Sequence, residues 1–143
     1  MIGTVVRQML ALCVVAFLPA IGEAFYLRDR IPWKTPVPAS ELTTLATAES
    51  WGNQLMWVDA RPDGDYSAAH IPGAFSLNED RGNELLPQFL QQWTPGRKVV
   101  VYCSSQSCNL SRAVAHRLRT EVQIPDVYIL QGGWEEWLKA HPK

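Results

Sequence analysis

Cysteine is scarce in this sequence: three residues in a chain of 143, too few for a disulfide scaffold. Charge of one sign is lacking as well. With 13 Lys+Arg against 14 Asp+Glu the formal net charge is −1, which leaves no basic patch or stripe for nucleic acid and sets that class of partner aside. Histidine numbers three. His116 and His141 have no companions at metal-ligand spacing, so neither a metal nor a cofactor is expected. Internal repeats and low-complexity tracts are absent, and the length suits one domain. What the chain has in quantity is tryptophan, six in all, and burial in a core accounts for them better than a ligand-contacting surface does.

The longest uncharged stretch lies near the N-terminus, from Gln8 to Gly22, and Met9 to Leu18 is almost pure hydrocarbon. Arg7 before it and Gly22-Glu23-Ala24 after it give the layout of a secretory signal: basic n-region, short h-region, small-x-small site. Residues 4–27 also suffice for an uncleaved membrane anchor if Arg7 and Glu23 sit at the interfaces. A packed N-terminal helix of a soluble protein is the third reading. Export or membrane attachment is the expectation, with a periplasmic domain. Arg28, Arg30 and Lys34 follow the apolar run, however, and the positive-inside rule would put an anchored domain on the cytoplasmic side. Residues 28–37, with Pro32 and Pro36, read as an extended linker, and the folded domain is expected over 38–143.

Within that domain strand and helix patterns alternate. Ser40 is placed to cap a helix from Glu41 to about Ser50. Leu55 to Ala60 reads as a buried strand, Asp63 to Ala69 as a short helical turn, and Ile71 to Phe75 as a turn into a brief strand. Glu84 to Trp93 is helical, with Leu85, Leu86, Phe89, Leu90 and Trp93 on one face. Val99 to Tyr102 is apolar on both faces, as a central parallel strand should be. Leu110 to Val122 follows as a helix, Asp126 to Leu130 as a strand, and Gly133 to Ala140 as a last helix. The alternation predicts an α/β fold with a parallel sheet covered on both faces.

Cys103 stands where the central strand ends and a polar loop leads into a helix. Ligands of parallel α/β sheets bind beyond the carboxyl ends of strands. The N–H groups and dipole of a following helix push a thiol there toward thiolate, the nucleophilic form. Cys13, inside the apolar N-terminal run, reads instead as a small inert thiol.

Three segments now carry a resemblance. Val58-Asp59-Ala60-Arg61 with Tyr66 and His70-Ile71-Pro72-Gly73-Ala74 comes first, then Val99 to Cys103, and last Val127 to Trp137 with Gly132-Gly133-Trp134. In this order and spacing they resemble the rhodanese-like sulfurtransferase family over about Pro38 to Pro142. The resemblance implies a doubly wound parallel sheet of about five strands with helices on both faces. It implies Cys103 as a nucleophile that takes sulfane sulfur from a small donor, thiosulfate or a persulfide. A thiol or other nucleophilic acceptor then receives it. Ser104, Ser105, Gln106, Ser107 and Cys108 would form the cradle whose N–H groups face the outer sulfur. Asp59 and Arg61 are expected to pair and brace the loops around the site. His70 is expected to fix its turn rather than act as a base, with Pro72-Gly73 supplying turn geometry and Gly132-Gly133 a tight turn before the last helix.

The loop departs from the family pattern. Where such loops commonly carry a basic residue five places after the nucleophile, and often a glycine at three, this one has Cys108 and Gln106. Losing one charge-assisted contact weakens the hold on a thiosulfate dianion by about tenfold or more. Arg112 could replace that cation only if it turns back toward the cradle. Cys108 also opens an alternative, a thiol–disulfide redox domain in which it resolves Cys103. A non-catalytic interaction module of the same fold is a further one. A phosphatase-like Cys-x5-Arg clamp is excluded by Asn109 at the arginine position.

Overall fold

A computed structural model of the chain describes residues 6–9, 37–104 and 108–142. It divides the chain into two units, residues 1–36 and Val37–Lys143. Of the first unit only residues 6–9 are described, and they are helical. The expected signal or anchor over 1–27 and most of the linker over 28–37 lie outside the described residues. Among the described residues no helix is long and apolar enough to cross a membrane.

The described residues of the second unit hold five strands: β1 (Leu42–Thr43), β2 (Leu55–Asp59), β3 (Phe75–Ser76), β4 (Lys98–Tyr102) and β5 (Val127–Leu130). Five helices alternate with them: α1 (Leu45–Ser50), α2 (Asp63–Ala68), α3 (Gly82–Gln92), α4 (Cys108–Thr120) and α5 (Gly133–Ala140). The strands form one sheet in the order β1-β5-β4-β2-β3, and every pairing is parallel. This is the α/β fold with a covered parallel sheet expected from the alternation.

β4 lies at the centre, and its side chains alternate between two cores because successive residues of a strand face opposite ways. Val99 and Val101 join Met56, Val58, Val127 and Ile129 beneath Leu85 and Phe89 of α3 and Val114, Ala115 and Leu118 of α4. Val100 and Tyr102 face Leu45 and Ala48 of α1, with Trp57, Trp134 and Trp137 packed alongside. The tryptophans at 134 and 137 therefore turn inward, as expected.

Two local readings are corrected. The helix expected over Glu41 to Ser50 is interrupted: residues 39–41 form a 3-10 turn and Leu42-Thr43 pair with Ile129-Leu130 of β5. The α-helix starts only at Leu45, capped by Thr44, whose side chain accepts the Thr47 N–H, and not by Ser40. On α3, Leu85 and Phe89 are buried but Leu90 is exposed, since the five apolar positions span more of the helix than its contact with the sheet can cover.

Candidate active site

β2 and β4 run side by side, with Asp59 opposite Tyr102 in register, so both strands deliver their last residues to one end of the sheet. Beyond that end lies Cys103, which is buried. Its Sγ is 3.3 Å from Oγ of Ser111 on α4. Its carbonyl accepts the N–H of Trp134 at 2.8 Å, which ties the β5–α5 turn to the residue after β4.

That turn depends on Gly133. Its φ is +55°, and a Cβ placed there would lie 2.0 Å from the carbonyl oxygen of Cys103. Only a residue without Cβ lets the two backbones approach this closely.

Asp59 and Arg61 are both buried and form a forked ion pair: Nη2 donates to Oδ2 at 2.7 Å and Nε to Oδ1 at 3.0 Å. Nη2 of Arg61 also donates to the Ala69 carbonyl at 2.7 Å. The guanidinium lies 4.5 Å from the Trp134 ring centre and 5.6 Å from that of Tyr102, both within cation–π range. Burial works against the Arg61 charge, but the hydrogen bonds and charge of Asp59 outweigh it and hold the guanidinium above its ordinary value. Arg61 thus ties β2, the α2–β3 connection and the start of α5 together. With its charge met by Asp59, it is fitted to the bracing role.

Tyr102 extends the same brace. Its hydroxyl oxygen accepts the Ile71 N–H at 3.1 Å. Burial, with the Asp59 carboxylate adding to it, pushes that hydroxyl well above the usual tyrosine range, so it stays protonated. Ile71 opens a turn closed by the Ala74 N–H on the Ile71 carbonyl at 2.9 Å, with Gly73 at φ +78°. Proline followed by a positive-φ glycine is the chemistry of a type II turn. His70 stacks on Tyr66, ring centres 4.0 Å apart, and its Nδ1 is 2.9 Å from the Tyr66 carbonyl. A carbonyl only accepts, so Nδ1 carries the proton. His70 is exposed and fixes its turn.

Of the expected cradle, Ser104 is half-buried beside Cys103. Ser105, Gln106 and Ser107 lie outside the described residues, as does the side chain of Cys108, whose backbone begins α4. Arg112 sits on α4 with a buried Nε that has no hydrogen-bond partner among the described residues, and it forms no ion pair there. His116 is exposed, and His141 stacks on Trp137 and faces Glu49 at 3.4 Å. No group of residues suited to a metal occurs among the described residues.

The sequence reading assigned no role to Ser111. A signal for it exists: Ser111, Val114, Ala115 and Leu118 follow the i, i+3, i+4, i+7 spacing of a core-facing helix stripe, and all four are buried. One hydroxyl on an apolar stripe marks a polar partner beneath it. The stacking of Arg61 on Trp134 left no such signal, because the two residues meet only through the tertiary fold.

Comparison with known proteins agrees with this fold. A family model described as the rhodanese-like domain matches residues 41–140. Among curated proteins, the thiosulfate sulfurtransferase GlpE of Tolumonas auensis is 39% identical over 84 residues, covering 59% of this chain and 73% of that protein. GlpE of Shewanella oneidensis is 36% identical over 84 residues, covering 59% of this chain and 76% of its own length. Among solved structures, the BH2092 protein from Bacillus halodurans shares the fold with a TM-score of 0.58 at 22% identity, covering 85% of this chain and 82% of that one.

Proposed function

This chain belongs to the rhodanese-like domain family, and we propose that it is a sulfurtransferase whose Cys103 carries sulfane sulfur as a persulfide. One observation supports this most: Sγ of Cys103 lies at the carboxyl end of the central strand and meets a buried hydroxyl at 3.3 Å. A spectator thiol there would lie among hydrocarbon.

The chemistry proceeds in two displacements. The Cys103 thiolate attacks the sulfane sulfur of the donor, a new S–S bond forms, and the donor remnant departs with the old bond's electron pair. With thiosulfate that remnant is sulfite. An acceptor thiolate then attacks the outer sulfur, the Cys103–sulfur bond breaks, and its electron pair returns to Sγ. No net oxidation occurs and no cofactor is called for.

The donor favoured by this loop is an organic persulfide over thiosulfate. Cys108 stands where a cation would face the dianion, and Asp59 already meets the charge of Arg61. The thiosulfate activity named for the GlpE relatives is then the weaker of two donor activities here. Expected in a transfer assay with either donor and a small thiol acceptor is turnover by the wild type. Cys103→Ser should lose it by on the order of 1000-fold or more. Turnover that persists in Cys103→Ser would end the proposal.

A second reading has Cys108 as a resolving thiol that attacks Sγ of the persulfide, closing a disulfide and expelling hydrosulfide. Its support is the start of α4 at Cys108, one helical turn before Ser111. Residues 1–27 are read as an export or anchoring segment on the strength of the uncharged run from Gln8 to Gly22.

A further inference from the structure

The geometry points to Ser111 as a catalytic residue, the hydrogen-bond donor that stabilises the Cys103 sulfur as nucleophile and as leaving group; the inference deepens the sulfurtransferase reading and rests on it. A hydroxyl and a thiol at 3.3 Å can each donate. Once Cys103 ionises the ambiguity disappears, because a thiolate has no proton and can only accept. Ser111 then donates.

Ser111 shows no exposure. Its neighbours on the sheet-facing stripe of α4, Val114, Ala115 and Leu118, are apolar. Alanine would fill such a position with nearly the same volume, and burying a hydroxyl costs free energy unless it is bonded. Packing alone therefore does not account for the oxygen, and the Cys103 sulfur lies within hydrogen-bond reach of it at 3.3 Å.

The two half-reactions depend on this bond differently. A hydrogen bond to a charged group shifts an ionisation by about tenfold or more in equilibrium. Without it, the thiolate fraction near neutral pH falls about tenfold, but a more basic thiolate is about threefold more nucleophilic. Loading from the donor should slow only about threefold. Discharge to the acceptor has no such offset. There the electron pair returns to Sγ, and a poorer leaving group slows the step by up to about tenfold.

The test uses the full chain and its Ser111→Ala and Ser111→Thr variants. Iodoacetamide alkylation, read at residue 103 by mass spectrometry across pH, reports the ionisation of the thiol without any sulfur transfer. Single-turnover loading from thiosulfate and discharge to dithiothreitol report the two steps separately. In Ser111→Ala the midpoint of alkylation should rise by about one pH unit. Discharge should slow more than loading, while the urea midpoint changes little. Ser111→Thr, which keeps the hydroxyl, should restore the alkylation midpoint. An unmoved midpoint, or equal slowing of both steps, would overturn the inference. So would a Ser111→Ala protein that loses its sheet by circular dichroism, since the hydroxyl would then serve folding. A wild type that never loads sulfur would instead defeat the persulfide reading, and the alkylation profiles would still report on Ser111.

Discussion

Gly133→Ala is expected to transfer sulfur at roughly one hundredth of the wild-type rate, the scale of loss that about 1 Å of misplacement at a reacting group produces. The added methyl would lie 2.0 Å from the Cys103 carbonyl oxygen, a backbone atom that no rotamer change can move aside. The residue also sits at φ +55°, where a side chain costs about 1 kcal/mol or more. Relief requires the β5–α5 turn to separate from the end of β4. That stretches the bond from the Trp134 N–H and turns the peptide that carries Cys103. Gly64→Ala on α2 is the control, since a Cβ there meets open space. Turnover with donor and thiol acceptor, beside urea unfolding of both variants, separates displacement of the site from loss of the fold. A Gly133→Ala protein with near wild-type turnover would show that the contact does not position Cys103.

The second large effect is on stability. Asp59→Ala should lower the free energy of unfolding by about 3–5 kcal/mol, the usual result of stranding a buried charge. The pair meets at 2.7 Å with side-chain exposures of 5% for Arg61 and 0% for Asp59. Water cannot replace the carboxylate there. Domains of ordinary size hold about 5–15 kcal/mol in total, so the loss approaches the margin of folding. Replacing both partners together, Asp59→Leu with Arg61→Met, should recover much of the loss, because the desolvation of Arg61 disappears with its charge. Urea midpoints of the three proteins decide this. A single variant within about 0.5 kcal/mol of wild type would mean that the pair is not the brace described.

The elements differ in how plainly they were written in the chain. Val99 to Tyr102 announced a buried central strand because no polar residue interrupts it. The polar loop and helix after it therefore marked Cys103 as the position to watch. β1 was hidden. Two residues carry no alternating pattern, and Leu42-Thr43 are a strand only because Ile129-Leu130 lie beside them. Local capping signals filled that gap with a helix, and the real cap proved to be Thr44.

The site was legible in part for a similar reason. The Asp59–Arg61 pair is two residues apart in sequence and was expected. What the guanidinium reaches next, the Ala69 carbonyl and the Trp134 ring, is set by packing across the sheet end. Ser111 was visible in principle as the polar member of an apolar stripe, but Cys103, whose sulfur it meets, lies at the end of another element. Gly132-Gly133 read as a tight turn; that the second glycine abuts the carbonyl of Cys103 appears only once β5 is set next to β4.

The account rests on Cys103 accepting sulfur, and intact mass spectrometry of the full chain after incubation with an organic persulfide examines that directly. Wild type and Cys108→Ser should each gain the mass of one sulfur atom, which a thiol acceptor then removes, while Cys103→Ser gains nothing. An adduct that survives in Cys103→Ser, or a wild type left unchanged by both a persulfide and thiosulfate, would contradict the account.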